Sequence, residues 1–157
     1  MPPKQPRFIC VYLLQCTTKR RKSYIGYTTN LRSRLRKHRG EIKGGAKHTR
    51  MWGGEVELIG FICGFRTKKE AMSFEWYAQH AQKCNVKCDL KIKNVHARLV
   101  PFCKPLLHPK FLHLKNHLKL YLCDYHHAIE PLREYFQLDD KQARAIHDDV
   151  KPCYETL

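Results

Sequence analysis

The apolar run RFICVYLLQC, residues 7 to 16, is followed by six polar residues, TTKRRK, and then by SYIGY. Aromatic and β-branched side chains pack well on a pleated surface, so the first run reads as a buried strand. A short basic turn leading into a second such segment predicts an antiparallel hairpin. The hairpin places Tyr12 near the middle of one strand and Tyr24 near the start of the other. Gly26, having no side chain, lets a neighbouring backbone or a ligand approach closely.

Asn30 is a natural N-cap and Gly40 a natural residue just past a helix end, which frames a helix of about ten residues between them. On that helix Leu31 and Leu35 share the core face, and Arg34 and His38 form a second i, i+4 pair on the adjoining flank. GEIKGGAKHTRMWGG, residues 40 to 54, reads as a flexible basic loop, and EVELIGFICGF, residues 55 to 65, as the third strand. Thr67 and Glu70 have capping-box spacing and open a helix over KKEAMSFEWYAQHAQ, with Ala71, Phe74, Ala78 and Ala81 on one face. Glu75 lies at the edge of that apolar stripe, where a poorly solvated carboxylate prefers a cation, either a side chain or a metal. Trp52 and Trp76 are expected in packing.

The fold class is therefore α/β, with a small central antiparallel sheet of about three strands flanked by helices. Residues 1–83 hold this unit. Residues 84–157 read as a partly helical extension packed on it: Pro101, Pro105 and Pro109 break any long helix, HLKLYLC at 117–123 alternates like a strand, and residues 128 to 147 suit one or two short helices.

A formal charge of +16 is large for 157 residues, and it is unevenly spread. Residues 1 to 119 carry 26 Lys and Arg against 6 Asp and Glu, whereas residues 120 to 157 carry 4 against 8. The first stretch calls for a polyanionic partner, nucleic acid ahead of an anionic membrane. The acidic tail reads as a solvated end or as a shield for the basic face. No apolar run approaches the length of a bilayer span, and MPPKQPRF contains no signal-type apolar segment, so an intracellular chain that is not secreted is expected. Its eight cysteines are then expected reduced. A structural zinc is not expected, because Cys84 and Cys88 are the one close pair and no second knuckle follows.

Set together, CVYLLQC, SYIGYTTNLRSRLRKH and FEWYAQ resemble the three landmarks of the GIY-YIG nuclease superfamily. Over residues 8 to 82 the pattern is most similar to the structure-specific endonucleases that act as catalytic subunit in resolving branched DNA. That resemblance implies a divalent-metal-dependent endodeoxyribonuclease. It implies that Tyr12 is the general base, that Tyr24 supports it and orients water or phosphate, and that Arg34 stabilises charge on the phosphate. His38 matches a histidine one helical turn further on, and Glu75 matches the glutamate that holds one divalent cation. Gly26 matches the glycine of the second motif, and the GGAKHT loop is expected near DNA. Arg32, Arg36, Lys37, Lys43, Lys47 and Arg50 would serve the DNA backbone.

Elementary chemistry asks for the same kinds of group. A phosphodiester under attack gathers negative charge, which Arg34 and a cation on Glu75 would offset. One carboxylate is a sparse ligand set, suited to Mg²⁺ or Mn²⁺ that keeps most of its water. A phenol is a poor base unless nearby positive charge, from Lys19 to Lys22, Arg34 or the metal, lowers its pKa. Cys10 departs from the pattern by standing where the first motif usually has Gly. The paired knuckles of a RING-type zinc domain are not found in residues 84–157, so such a domain is not expected there, which leaves a scaffold partner open, as is a homodimer. Asn85 and Asn94 are candidates for an asparagine that other members have after the metal glutamate. DNA chemistry and basic clusters such as KRRK suggest nuclear residence. The rival readings are a silent DNA-binding module, with Glu75 merely paired to Arg34, and a sequence-specific nuclease of the same fold.

Overall fold

The computed structural model describes residues 8–19, 22–91, 97–123 and 129–145. Cys153, Asn94, Arg20, Arg21 and residues 124–128 and 146–157 of the acidic tail lie outside them. Strand β1, Cys10–Cys16, is buried along its whole length because it has a neighbour on each side. On one side it pairs antiparallel with β2, Ser23–Thr28, in a register that sets Tyr12 opposite Gly26. On the other it pairs antiparallel with β3, Val56–Cys63, across a bulge between Leu13 and Leu14.

Two further strands complete the sheet, so the expectation of about three was low. β4, Lys119–Leu122, adds antiparallel to β3, and β5, Ala143–Ala145, adds parallel to β4, giving the order β2-β1-β3-β4-β5. β5 falls inside the stretch read as helical. Three residues are too few to show a period of two, and their pairing is decided by β4, not by their own pattern.

Alternation along β1 divides the interior into two. Val11 and Leu13 point to one side of the sheet, Cys10, Tyr12, Leu14 and Cys16 to the other. The first side is covered by α3, Lys68–Gln79, by α4, Leu99–Cys103, by two 3₁₀ turns at Lys104–Leu107 and Pro109–Leu114, and by α5, Ile129–Phe136. Pro105 and Pro109 sit at the starts of those 3₁₀ turns, where a missing N–H does least harm. The second side is covered by α1, Leu31–His38, and by α2, Lys47–Arg50, a single turn inside the segment expected to be loop. Trp52 is buried there.

The predicted caps are present. Asn30 Oδ1 accepts from the Ser33 N–H at 2.9 Å, and Gly40 has φ +77. Thr67 Oγ1 accepts from the Glu70 N–H at 3.1 Å, while the Glu70 carboxylate reaches past Thr67 to the Arg66 N–H at 2.9 Å. α3 stops at Gln79 instead of continuing to 82, because His80 leaves the helical region and a 3₁₀ turn follows at Ala81–Cys84. Seven cysteines among the described residues are free thiols. Cys10 is fully buried opposite Cys63, and burial first, then that neighbour, pushes its thiol pKa up.

Candidate active site

β2 is an edge strand, and at this edge the two sides of the sheet meet. From β1, Tyr12 projects toward α1, with its ring centroid 6.2 Å from that of Tyr24 on β2. Gly26 makes room for both phenols. A Cβ there would lie 2.5 Å from Tyr12 Oη and 2.8 Å from Tyr24 Cε1, so no larger residue fits without displacing the pair.

Because α1 begins at Leu31 and seats Leu31 and Leu35 on the sheet, Arg34 and His38 are carried over Tyr12. Tyr12 Oη lies 2.8 Å from His38 Nε2, and Arg34 Nε donates to Tyr12 Oη at 3.2 Å. The other imidazole nitrogen, Nδ1, lies 2.7 Å from Thr49 Oγ1, and the Thr49 hydroxyl donates to the Ala46 carbonyl at 3.1 Å. These contacts fix the protons. Thr49 spends its one hydroxyl hydrogen on a carbonyl, so it accepts from Nδ1–H; Nε2 is then the bare nitrogen, and Tyr12 O–H donates to it. Tyr12, His38 and Thr49 are all nearly excluded from solvent, at 0%, 3% and 1% exposure, which keeps bulk water from competing for these hydrogen bonds.

Electrostatics follow from that burial. Burial and then the Arg34 charge lower His38 to about 4, so the imidazole is neutral at physiological pH. Burial also pushes the Tyr12 phenol well above its ordinary value, against the opposing pull of the Arg34 hydrogen bond. Of the cations expected to lower it, Arg34 does pull that way, and burial of the phenolate outweighs that one contact. Burial works against the Arg34 charge as well, but the phenols of Tyr12 and Tyr24 beside it raise its pKa. One guanidinium nitrogen, Nη1, donates to the Gly44 carbonyl at 3.2 Å, which ties α1 to the basic segment.

Glu75 comes from the other side of the sheet and is half-buried at the β2 edge. Gln79, one turn along α3, donates from Nε2 both to Glu75 Oε1 at 3.0 Å and to the Ile25 carbonyl of β2 at 2.8 Å. Oε2 takes no hydrogen bond from any described residue. Burial raises the Glu75 pKa, while the Gln79 bond and the Arg34 charge oppose the rise. Arg34 is thus close enough for its field to reach Glu75, yet among the described residues no ion pair joins the two.

The residues expected along the DNA backbone separate into groups. Lys37, Lys43 and Arg50, with Gly44 and Gly45, line an open cavity of 680 Å³ beside His38. Arg32 and Lys47 are exposed on α1 and α2. Arg36 is turned to an exposed ion pair with Glu41 at 3.2 Å. Trp76, expected in packing, is 44% exposed. Thr49 and Gln79 were not singled out by sequence reasoning. Thr49 stood inside the GGAKHT segment, but a lone threonine carries no signal, and a glutamine four residues past a glutamate looks like an ordinary helix surface pair.

The GIY-YIG catalytic domain family matches residues 8–87, half of the chain, and spans β1, β2, α1, β3 and α3. The chain belongs to the GIY-YIG family. Among curated proteins the GIY-YIG chain is 38% identical over 109 residues to "Structure-specific endonuclease subunit SLX1 homolog 1" of Trypanosoma cruzi, covering 65% of this chain and 20% of that protein. It is 46% identical over 79 residues to "Structure-specific endonuclease subunit slx1" of Schizosaccharomyces japonicus, 48% of this chain and 28% of the relative. To the like-named protein of Phaeosphaeria nodorum it is 47% identical over 77 residues, 48% and 20% of the two chains. The chain therefore spans about a fifth to a quarter of the length of these relatives.

Proposed function

We propose that this GIY-YIG chain carries the catalytic domain of a structure-specific DNA endonuclease, one that hydrolyses phosphodiesters a strand at a time in branched DNA such as flaps, forks and four-way junctions. The observation that carries the reading is the ordered hydrogen-bond chain from Arg34 through Tyr12 and His38 to Thr49, set on a strongly basic surface with Glu75 brought round the sheet edge. Likeness to proteins named as structure-specific endonuclease subunits supports structure-specific cleavage and a partner subunit, and a role in repair or recombination with nuclear residence belongs to the same proposal. The second unit, residues 84–157, would support the nuclease unit, residues 1–83, through α4, the 3₁₀ turns and α5 packed on the side of the sheet that α3 covers.

The proton inventory suggests how Tyr12 acts with a raised pKa. No standing phenolate is needed. As water attacks phosphorus, its proton passes to Tyr12 Oη while the phenolic proton passes to His38 Nε2, and Thr49 holds the growing imidazolium through Nδ1–H. Arg34 Nε steadies the phenol oxygen, and the rest of the guanidinium offsets charge on the phosphate oxygens. Burial holds His38 neutral, so its bare Nε2 is free to take that proton and to return it through Tyr12. Tyr24 closes the other side of the phenol and limits where water can stand.

The donor set fits one hydrated, hard divalent cation such as Mg²⁺ or Mn²⁺. Glu75 offers a second oxygen that Gln79 does not bond, and burial raises its pKa against the opposing Gln79 bond and Arg34 charge, a setting suited to a cation that keeps most of its water and needs few protein ligands. When bound, the cation would neutralise charge on a phosphate oxygen and on the leaving group. Gln79 holds the carboxylate at the β2 edge in readiness. Glu75→Ala should abolish cleavage of labelled forks in Mg²⁺ or Mn²⁺, by about 10³-fold or more, with DNA affinity kept. Wild-type protein that binds but never cuts would make this a DNA-binding module, and equal cutting of linear duplex would remove structure specificity.

A further inference from the structure

Helix α3 turns about 100° per residue, so its side chains fall into stripes. Ala71, Phe74 and Ala78 enter the core. Glu75 and Gln79 come next, against β2. The stripe after that holds Met72, Trp76 and His80, with Lys69 exposed one turn ahead. Met72 is 50% exposed and Trp76 44%, an i, i+4 pair of large apolar side chains directly bordering the carboxylate.

Trp76 is exposed but not loose. The His80 ring stacks on it with centroids 4.4 Å apart and planes 22° off parallel. His80 is itself held, because Nδ1–H donates to the Trp76 carbonyl at 2.8 Å. Tyr77 stands at 87° to the indole with centroids 5.1 Å apart and in turn rests on Phe111 at 5.7 Å. An indole stacked by one ring and met at a right angle by another, yet still 44% exposed, is held in place before any ligand arrives, so stacking a flat partner on its open surface needs little further ordering.

Charge identifies the partner. Exposed Lys68 and Lys69 stand at the head of the stripe, the chain carries a formal +16, and the stripe is continuous with the residues assigned above to a phosphodiester. Bases within a linear duplex are stacked on each other and cannot reach a protein ring. A nucleotide at a branch has lost one stacking neighbour and presents a free π-face.

We propose that Trp76 is a stacking platform for the unstacked nucleobase next to the cut phosphate, and that it is a residue by which the site distinguishes a branch from plain duplex. This rests on the endonuclease reading for the neighbouring phosphate. Met72 supports the sugar or base edge beside the indole, and the lysines hold the adjoining phosphates.

The test uses a fork with 2-aminopurine at the branch nucleotide and a linear duplex with the same label. The proteins are Glu75→Gln, silenced for cleavage, and Glu75→Gln combined with Trp76→Ala, Trp76→Leu or Trp76→Phe. On the fork, Glu75→Gln alone and the Phe variant should change the 2-aminopurine emission. The Ala and Leu variants should leave it unchanged, and the preference for fork over duplex should fall about tenfold in affinity. Leu keeps the apolar volume without a ring, so the Leu and Phe variants decide the matter if Ala unfolds the helix. Unchanged emission and preference in Trp76→Leu would overturn the proposal and leave the stripe to a protein partner. A parallel cleavage assay of wild type separates the two readings. Cutting without Trp76-dependent emission sinks the platform alone, and Trp76-dependent emission without cutting upholds the platform while the nuclease falls.

Discussion

The two sides of the one sheet are built on opposite physical terms. Toward α3 and the C-terminal helices, Val11, Leu13, Ile62 and Leu120 pack against Phe74, Phe102, Phe111 and Phe136, all hydrocarbon. Toward α1, Tyr12, Leu14, Leu31 and Leu35 enclose a phenol, an imidazole and a threonine hydroxyl that are bonded to one another, to the Ala46 carbonyl and to Arg34. Burial of hydrocarbon is non-directional and tolerates many arrangements of similar volume. A buried polar chain tolerates one, since each unsatisfied member costs about 1–3 kcal/mol. Both sides bury hydrocarbon, but only the α1 side adds a fixed proton geometry to it, and the candidate site lies at the edge strand that both sides reach.

Substitutions on each side should break that division in different observables. The largest expected effect is Tyr12→Phe, which removes the group between water and His38 and should lower the cleavage rate about 10²- to 10⁴-fold in single-turnover assays. If turnover survives within about threefold, the relay is wrong. On the opposite side, Phe74→Ala should lower unfolding free energy by about 3–5 kcal/mol in urea titration, while the rate per folded molecule stays the same. Loss of rate without loss of stability there would dissolve the distinction between the two sides.

Gln79 belongs to neither side, because it ties α3 to the β2 edge. Gln79→Ala should weaken Mn²⁺ binding about 10- to 100-fold, read by titration against the metal with no DNA present, with a smaller change in rate at saturating metal. An unaltered titration would leave Gln79 as a packing residue.

The smallest effect at neutral pH concerns His38, which is neutral there in both folded and unfolded chains. Below its ordinary 6.5 the unfolded chain takes up a proton that the folded chain refuses until about 4. Stability contributed by His38 is therefore complete above 6.5 and is lost as pH falls from 6.5 through 4. Urea midpoints of wild type should decline across that window more steeply than those of His38→Asn, and parallel profiles would place the imidazole in a wetter setting than its burial indicates.

Much of this was legible along the chain. The β1–β2 hairpin, the Asn30 and Thr67 caps, the Leu31 and Leu35 pair and the Ala71, Phe74, Ala78 stripe are read from periods of two and 3.6 and from groups within a few residues of each other. The residue types at Tyr12, Tyr24, Arg34, His38 and Glu75 were legible by resemblance. Their protonation was not. Sequence reasoning placed positive charge near Tyr12 and so expected a lowered pKa, because charge can be counted in a sequence whereas burial cannot.

What the amino-acid order determined alone is the local layer: which segments are strands, where helices start, which face of each is apolar, and that the first three quarters carry the cationic excess. Tertiary structure decided the rest. It paired β5 with β4, joined Tyr12 to His38 across 26 residues and Gln79 to Ile25 across 54, and left Trp76 at the surface beside Glu75. The physical reason is range. Caps and periodicity are satisfied within a turn or two, but a buried hydrogen bond between distant residues exists only once the sheet has brought its donor and acceptor together and excluded the water that would otherwise serve both.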